Sequence, residues 1–194
     1  MANLHLVGLR PKVLELVDLE LAAGELVSLS GPSGAGKSLL LRAIADLDPH
    51  VGEARIGGVP RSALSAPEWR RRVGLLPAES HWWEDRVGDH FPIPIPIPIP
   101  IPIPVPGPRV RANDPEMTAL LSQLDFGIEV LDWSVSRLST GERQRLALAR
   151  LLANGPEALL LDEATANLDP LNRDRVEAVI RDYRRARTTR PCSG

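Results

Sequence analysis

Two adjacent carboxylates follow an apolar run near the C-terminal third of the chain. Residues 158–161 are Ala-Leu-Leu-Leu, and Asp162 and Glu163 come directly after them. A buried strand ends in this way when it delivers carboxylates to a site at its C-terminal edge. Asp162 is therefore a candidate metal ligand. Glu163 is a candidate base that positions and activates a water.

The segment LSTGE, at residues 138–142, precedes these carboxylates by one predicted helix. Ser139 and Glu142 have the S-x-x-E spacing of a capping box, which predicts that a helix begins near Thr140 and Gly141. The free backbone N–H groups of a helix N-terminus attract phosphate. Together with the carboxylates, this segment indicates nucleotide hydrolysis.

A second phosphate motif lies upstream, where GPSGAGKS at residues 31–38 matches G-x-x-x-x-G-K-[ST] at every fixed position. Its glycines allow successive backbone N–H groups to point at phosphates. Lys37 is expected to reach the β and γ phosphates, and the Ser38 hydroxyl is expected to bind magnesium. The alternative is a glycine turn before a helix with no ligand, and the full match favours the nucleotide.

The patterns around these motifs predict the elements that must hold them. Residues 26–30 are predicted to form a buried strand and residues 39–47 a helix with one apolar face, which is the order a phosphate loop requires. Apolar and polar residues alternate near the N-terminus and predict half-exposed strands. Residues 73–76 are predicted to form a further strand. Helices are expected from Asp114 onward and over residues 171–187.

Composition is compatible with an enzyme but does not identify one. The chain has 194 residues, 43% of them hydrophobic and 25% charged, which is ordinary for one globular domain. Its 23 basic and 25 acidic side chains give a net charge of −2, which argues against a nucleic-acid partner. The single cysteine, Cys192, suits a reducing cytoplasm. No proline-free run of 18 apolar residues is present, so membrane association is expected only through a partner.

The order GPSGAGKS, LSTGE and LLLDE followed by NLD resembles the nucleotide-binding subunit of ABC transporters. The resemblance covers nearly the whole chain. It implies an α/β P-loop NTPase of ABC type, with a mixed central sheet flanked by helices, an N-terminal antiparallel β-subdomain and a reduced helical subdomain. Residues 1–194 would form one ABC ATPase domain, with an ATP-binding core at 1–89 and 140–194 and a helical subdomain at 90–139.

The resemblance also implies ATP and Mg²⁺ as cofactors and assigns roles residue by residue. The catalytic residues would be Glu163, as general base, and Lys37, while the metal ligands would be Ser38 and Asp162. The nucleotide-binding residues would be Gly31, Pro32, Ser33, Gly34, Ala35, Gly36, Lys37, Ser38, Leu39, Ser139, Gly141 and Asp169.

In that family, ATP lies between two subunits that close head to tail. The expected partners are therefore a second ATP-binding subunit, in a homodimer or heterodimer, and transmembrane permease subunits. Asp169 would contact the partner subunit. No nucleic-acid partner is expected. The implied location is cytoplasmic, peripheral on the inner face of the cell membrane through the permease.

The sequence departs from the family at several positions. The usual signature LSGGQ is LSTGE here, with changes at Thr140 and Glu142. No aromatic residue precedes the phosphate loop to stack on adenine, so either Arg10 or Leu9 covers the base or adenine is bound more weakly. Glu79 stands near the position of a glutamine that senses the γ phosphate and magnesium, and its carboxylate is a candidate metal ligand.

Trp82 and Trp83 fall where the family meets its transmembrane partner, so they are either interface anchors or core residues. His81 and His90 lack the spacing of a metal site and are predicted to be surface or capping residues.

Residues 92–106 alternate proline with isoleucine or valine. This alternation excludes helix and central strand and predicts an extended polyproline-like rod. It is either a ligand for a proline-recognition domain or, as composition favours, an expanded low-complexity insert.

The C-terminus departs most, because the family continues into an apolar strand with a histidine that contacts the γ phosphate, whereas this sequence ends TTRPCSG. Three functions compete. The first is the ATPase subunit of a membrane transporter. The second is a truncated protein that binds nucleotide but hydrolyses it poorly. The third is a soluble ABC ATPase acting on nucleic acid or ribosomes, which the balanced charge disfavours.

Overall fold

The computed structural model of the chain describes residues 1–11, 14–91 and 115–188. The predicted polyproline-like rod at residues 92–106, the helix start at Asp114 and the C-terminal residues 189–194 lie outside the described residues.

The N-terminal strands form an antiparallel sheet, as the alternating sequence predicts. It contains β1 (Leu4–Pro11), β2 (Val17–Leu21), β3 (His50–Ile56) and β4 (Val59–Pro60) in the order β2-β1-β3-β4. In β1, the side chains of Leu4, Leu6 and Leu9 are buried. A register shift between Leu6 and Leu9 lets both leucines face inward despite their odd spacing. The α/β class and the antiparallel N-terminal sheet are thus confirmed.

Two short apolar strands form a separate parallel pair. β5 (Val73–Leu76) pairs with β6 (Ala158–Leu161) in a register that joins Val73 to Ala158 and Leu76 to Leu161. Both strands match the sequence prediction. Because the strands are parallel, both carboxyl ends lie at the same edge. The residue after β6, Asp162, follows at this edge.

Five α-helices complete the described residues, and most of their limits follow from local sequence. They are α1 (Lys37–Ile44), α2 (Ala66–Arg72), α3 (Pro115–Gln123), α4 (Thr140–Ala153) and α5 (Pro170–Thr188). Helix α2 begins at a capping box made by Ser65 and Glu68, with proline in its first turn. None of the helices in the described ranges is both long and apolar enough to cross a bilayer.

The predicted strand at residues 26–30 is wrong. These residues have no strand conformation and are exposed, with 68% of the Leu26 surface accessible. No strand of the described residues pairs with them. A strand requires hydrogen bonds from a neighbouring strand, and an apolar run cannot by itself supply them. The phosphate loop is therefore preceded by an unpaired segment without regular secondary structure.

The structure divides into two compact units. The first comprises the described parts of Met1–Ala78, Gly155–Ala166 and Ile180–Gly194, and the second comprises those of Glu79–Asn154 and Asn167–Val179. The core of the first unit joins the N-terminal sheet, α1 and the parallel strands around the fully buried Trp69. In the second unit, the largest fully buried side chains include Val87, Phe91, Leu121, Leu124, Leu146 and Leu148. The predicted subdomain limits at residues 90 and 139 remain a prediction.

Candidate functional site

The loop at residues 31–38 is organised around the ammonium group of Lys37. Its Nζ donates hydrogen bonds to the carbonyl oxygens of Gly31 and Pro32, at 2.9 and 3.0 Å. The backbone of Ala35 closes a turn onto Pro32, with 3.2 Å between N and O. Helix α1 then begins at Lys37 itself. The ammonium group of Lys37 thus folds back onto the backbone at the start of its own loop.

Two glycines determine the shape of this loop. Gly34 and Gly36 have φ of 80° and 87°, a left-handed conformation that costs other residues energy. Gly36 also caps α1, and a Cβ atom placed there would lie 2.4 Å from Cδ2 of Leu14. Glycine at position 36 is therefore favoured by the left-handed backbone, and a larger residue would also displace the Leu14 side chain.

The loop is open to ligands. Residues 31–35 and Ser38 are exposed, and Lys37 is half-buried. The backbone between Gly34 and Ser38 supplies N–H groups at the N-terminus of α1, where the helix dipole favours an anion. Charge, shape and exposure together suit a phosphate group.

Asp162 and Glu163 lie at the end of β6, as predicted, but they have different environments. The backbone N–H of Asp162 donates to the carbonyl of Leu76 at 2.9 Å, which fixes Asp162 at the carboxyl edge of the parallel pair. Asp162 is 9% exposed, whereas Glu163 is exposed and has φ of 49°. One carboxylate is thus held within the protein, and the next is directed into solvent by a strained backbone.

The capping box predicted for the signature segment is present in the second unit. Ser139 caps α4, and the Glu142 carboxylate accepts from both the backbone N–H and the hydroxyl of Ser139, each at 2.8 Å. These bonds, the backbone one first, lower the pKa of Glu142. A Cβ atom on Gly141 would lie 3.3 Å from Cδ2 of Leu168, so this glycine packs closely against the segment after β6.

Asp169 has a structural role that the sequence reasoning missed. Its Oδ1 accepts from the backbone N–H of Asn172 at 3.1 Å, and its carbonyl accepts from Arg173, so it caps α5. The Asn172 backbone bond, followed by the Asn172 side chain, lowers the pKa of Asp169. The signal was available, because aspartate directly before Pro170 is a typical helix start.

Three expectations about individual residues need correction. Leu9 is fully buried in the core of the first unit and cannot cover a nucleotide base, whereas Arg10 is exposed. His90 is buried rather than on the surface, and it caps no helix, because its Nε2 accepts the backbone N–H groups of Trp83 and Glu84, which are not helical. His81 and Glu79 are exposed. Trp83 is 69% exposed, so the core alternative is wrong for this residue.

The donor set suits magnesium bound together with phosphate more than a metal held by protein alone. Within the described ranges, no three His, Cys, Asp or Glu side chains converge as a metal cage. Magnesium in nucleotide sites is usually held by one or two protein oxygens, substrate phosphates and waters. Ser38 at the start of α1 and Asp162 after β6 are oxygen donors of the required kind.

Comparisons with known proteins agree with these motifs. A family profile described as ABC transporter matches residues 14–166. The chain is 38% identical over 188 residues to the hemin import ATP-binding protein HmuV of Streptomyces coelicolor, covering 95% of this chain and 63% of that protein. It is 41% identical over 179 residues to the lipoprotein-releasing system ATP-binding protein LolD of Maricaulis maris, covering 90% of this chain and 75% of that one.

The fold is also that of a solved structure. A bacterial Atm1-family ABC exporter with ATP bound matches 94% of this chain and 33% of the exporter chain, with a TM-score of 0.75 and 24% sequence identity. The chain spans less than two thirds of the length of several curated relatives that it matches.

Proposed function

The chain belongs to the ABC transporter family, and we propose that it binds and hydrolyses ATP as the ATP-binding subunit of a membrane transporter. Relatives named for hemin import and for lipoprotein release support an ATP-binding role. The observation that carries the proposal is the exposed phosphate loop, in which Nζ of Lys37 donates to the carbonyl oxygens of Gly31 and Pro32.

Lys37 is the main phosphate-binding side chain in this proposal. Its ammonium exchanges the carbonyls of Gly31 and Pro32 for the β and γ phosphate oxygens of ATP. The N–H groups of Gly34, Gly36 and Ser38 bind the same phosphates. Because this exchange replaces neutral acceptors by charged ones, the bonds from Lys37 strengthen when nucleotide binds.

Ser38 and Asp162 hold Mg²⁺ in this proposal. Ser38 supplies a hydroxyl and Asp162 a carboxylate, and the backbone N–H of Asp162 donates to the carbonyl of Leu76, which holds this residue at the carboxyl edge of the parallel pair. A magnesium ion held by these two residues would supply positive charge that stabilises phosphoryl transfer.

Glu163 acts as the general base. Its carboxylate is exposed and lies one residue beyond Asp162, so it can accept a proton from water near the metal. The left-handed backbone at Glu163 aims this side chain away from the direction that continuation of β6 would give.

The remaining motifs act through a second ATP-binding subunit. Ser139 and Gly141 at the start of α4 contact the γ phosphate held by the partner, and Asp169 contacts the partner subunit. Permease subunits complete the transporter and keep the protein at the inner face of the cell membrane. Trp82 and Trp83 lie in the segment expected to meet the permease. Nucleic acid has no role in this proposal.

Nucleotide affinity of a Lys37→Ala variant tests the proposal. Removal of the ammonium should weaken binding of a fluorescent ATP analogue by at least about tenfold, the effect of one charged hydrogen-bonding group. Arg42→Ala is the matched control, because Arg42 is an exposed cation on the same helix and pairs with Asp48. It should bind the analogue within about twofold of the unmodified protein. Equal affinity of the Lys37→Ala variant and the unmodified protein would remove the support for this site.

A further inference from the structure

His90 is a buried imidazole in the second unit, at the end of a short 3-10 helix (Val87–His90). Only 5% of its surface is exposed. Its Nε2 lies 2.9 Å from the backbone nitrogen of Trp83 and 3.0 Å from that of Glu84. Its Nδ1 lies 3.0 Å from the carbonyl oxygen of Arg86.

These contacts determine the protonation state. Nε2 faces two N–H donors, so it must accept and carry no proton. Nδ1 faces a carbonyl oxygen, so it must donate and carry the proton. The neutral Nδ1–H tautomer is the form of His90 that satisfies all three bonds at once.

An aromatic cluster surrounds the ring. We call Trp82, Trp83, His90 and Arg150 the Trp-His cluster. The indoles of Trp82 and Trp83 each meet the imidazole edge-on, with ring centroids 4.7 Å apart. The Arg150 guanidinium lies 4.8 and 5.1 Å from the two indole centroids and donates to the carbonyl of His81 at 3.2 Å. The His90 ring and the Arg150 guanidinium thus contact both indoles.

Protonation of His90 is incompatible with this arrangement. A proton on Nε2 would point at the N–H groups of Trp83 and Glu84 and would break both hydrogen bonds. In the described residues, the charged groups that act on the ring are Arg150 of α4, which opposes a second positive charge, and Glu84, which favours it. The Arg86 side chain is paired with Asp132. Burial, which acts most strongly, lowers the pKa of His90.

The Trp-His cluster also contains a hydrogen-bond donor that has no acceptor in the described residues. The indole Nε1 of Trp82 is buried and has no hydrogen-bond partner in the described part of the chain. A buried unpaired donor destabilises the state that contains it. Release of the turn would let water accept a hydrogen bond from this group. That hydrogen bond lowers the free-energy cost of releasing the turn.

We propose that His90 is a positioning residue whose protonation releases the turn at Trp83 and Glu84 and frees the two tryptophans of the Trp-His cluster. The inference is independent of the proposed ATPase activity, since it concerns contacts within one unit. The result is a pH-responsive surface in which the neutral protein holds Trp82 and Trp83 in place and the protonated protein does not.

The four tryptophan indole N–H signals in a nitrogen-15 NMR spectrum of the full chain test the proposal. On acidification from pH 7.5, the signals of Trp82 and Trp83 should shift together with a midpoint below pH 6.5, the ordinary pKa of histidine. Those of Trp69 and Trp133 should stay unchanged over the same range. Coincident shifts of all four signals would show global unfolding and would overturn the proposal, as would no shift of Trp82 and Trp83 down to about pH 5.

A pair of variants assigns the transition. His90→Gln should abolish it, because the amide oxygen of glutamine accepts the two backbone bonds but does not titrate. His81→Gln is the control, since His81 is exposed in the same turn, and it should leave the transition intact. Persistence of the transition in His90→Gln would contradict the proposal. Should that variant fail to fold, the direct titration of the His90 ring in the unmodified protein decides, and a ring that does not titrate together with Trp82 and Trp83 would overturn it.

Discussion

At the scale of single residues, Glu163 combines a proposed catalytic role with a strained backbone. Its φ of 49° belongs to the left-handed region, which costs a residue with a side chain about 1 to 2 kcal/mol. Glu163→Gly should therefore raise the free energy of unfolding by roughly 1 kcal/mol, as measured by urea denaturation. The same variant should lose ATP turnover, because it lacks the base.

Glu163→Gln is the control that separates the effect of the backbone on stability from the loss of the base. It keeps the side chain and the backbone strain, so its free energy of unfolding should stay within about 0.5 kcal/mol of the unmodified protein. A Glu163→Gly variant no more stable than Glu163→Gln would show that the left-handed backbone is not strained here.

The sequence predicted much of the candidate site. It did not predict how deeply individual side chains are buried. The loop around Lys37 and the position of Asp162 after a strand depend on local sequence, and both were predictable. The burial of His90 and of Leu9 depends on tertiary contacts and was not. Aspartate directly before Pro170 also indicates a helix cap, a role for Asp169 that was not among the predictions.

At the scale of elements, residues of the signature segment LSTGE form the capping box of α4 and so contribute to the stability of this helix. Ser139→Ala removes the hydroxyl that bonds Glu142 and should lower the free energy of unfolding by about 1 kcal/mol at pH 7. Ser139→Thr keeps a hydroxyl and should cost only a few tenths of this amount. Urea denaturation of the two variants measures the difference, and equal stability of Ser139→Ala and the unmodified protein would exclude a working cap.

The same cap predicts a pH dependence. The pKa of Glu142 is lowered in the folded protein from an ordinary value of 4.5, first by the backbone and then by the side chain of Ser139. Its contribution to stability is therefore present above pH 4.5 and is lost as the pH falls through the lower folded value. Ser139→Ala should lose less stability than the unmodified protein on acidification through this range. A steeper loss of stability in Ser139→Ala than in the unmodified protein would contradict this prediction.

Elements that short-range sequence patterns specify form where they are predicted. Strands that need a partner distant in sequence do not always form where they are predicted. Helix α4 starts at the predicted capping box, and β5 and β6 lie at the predicted apolar runs. The segment at residues 26–30, Leu-Val-Ser-Leu-Ser, is also rich in apolar residues but has no paired neighbour. The difference between β6 and this segment is a backbone partner, which hydrophobic periodicity does not encode.

At the scale of the whole molecule, the proposed site residues are distributed between the two units. Lys37, Ser38, Asp162 and Glu163 belong to the first unit, while Ser139, Gly141 and Asp169 belong to the second. In the proposed dimer, the first group binds the nucleotide and its metal, and the second group meets the nucleotide of the partner. Loss of either group should therefore abolish turnover for different physical reasons.

Phosphate release from ATP is the most direct test of the proposed function. The purified protein, alone or assembled with its permease, should release phosphate in a magnesium-dependent manner. Glu163→Gln should abolish release while retaining ATP binding, since it removes the base and leaves the phosphate loop intact. Bound ATP with no magnesium-dependent phosphate release from the unmodified protein, with or without the permease, would contradict the account.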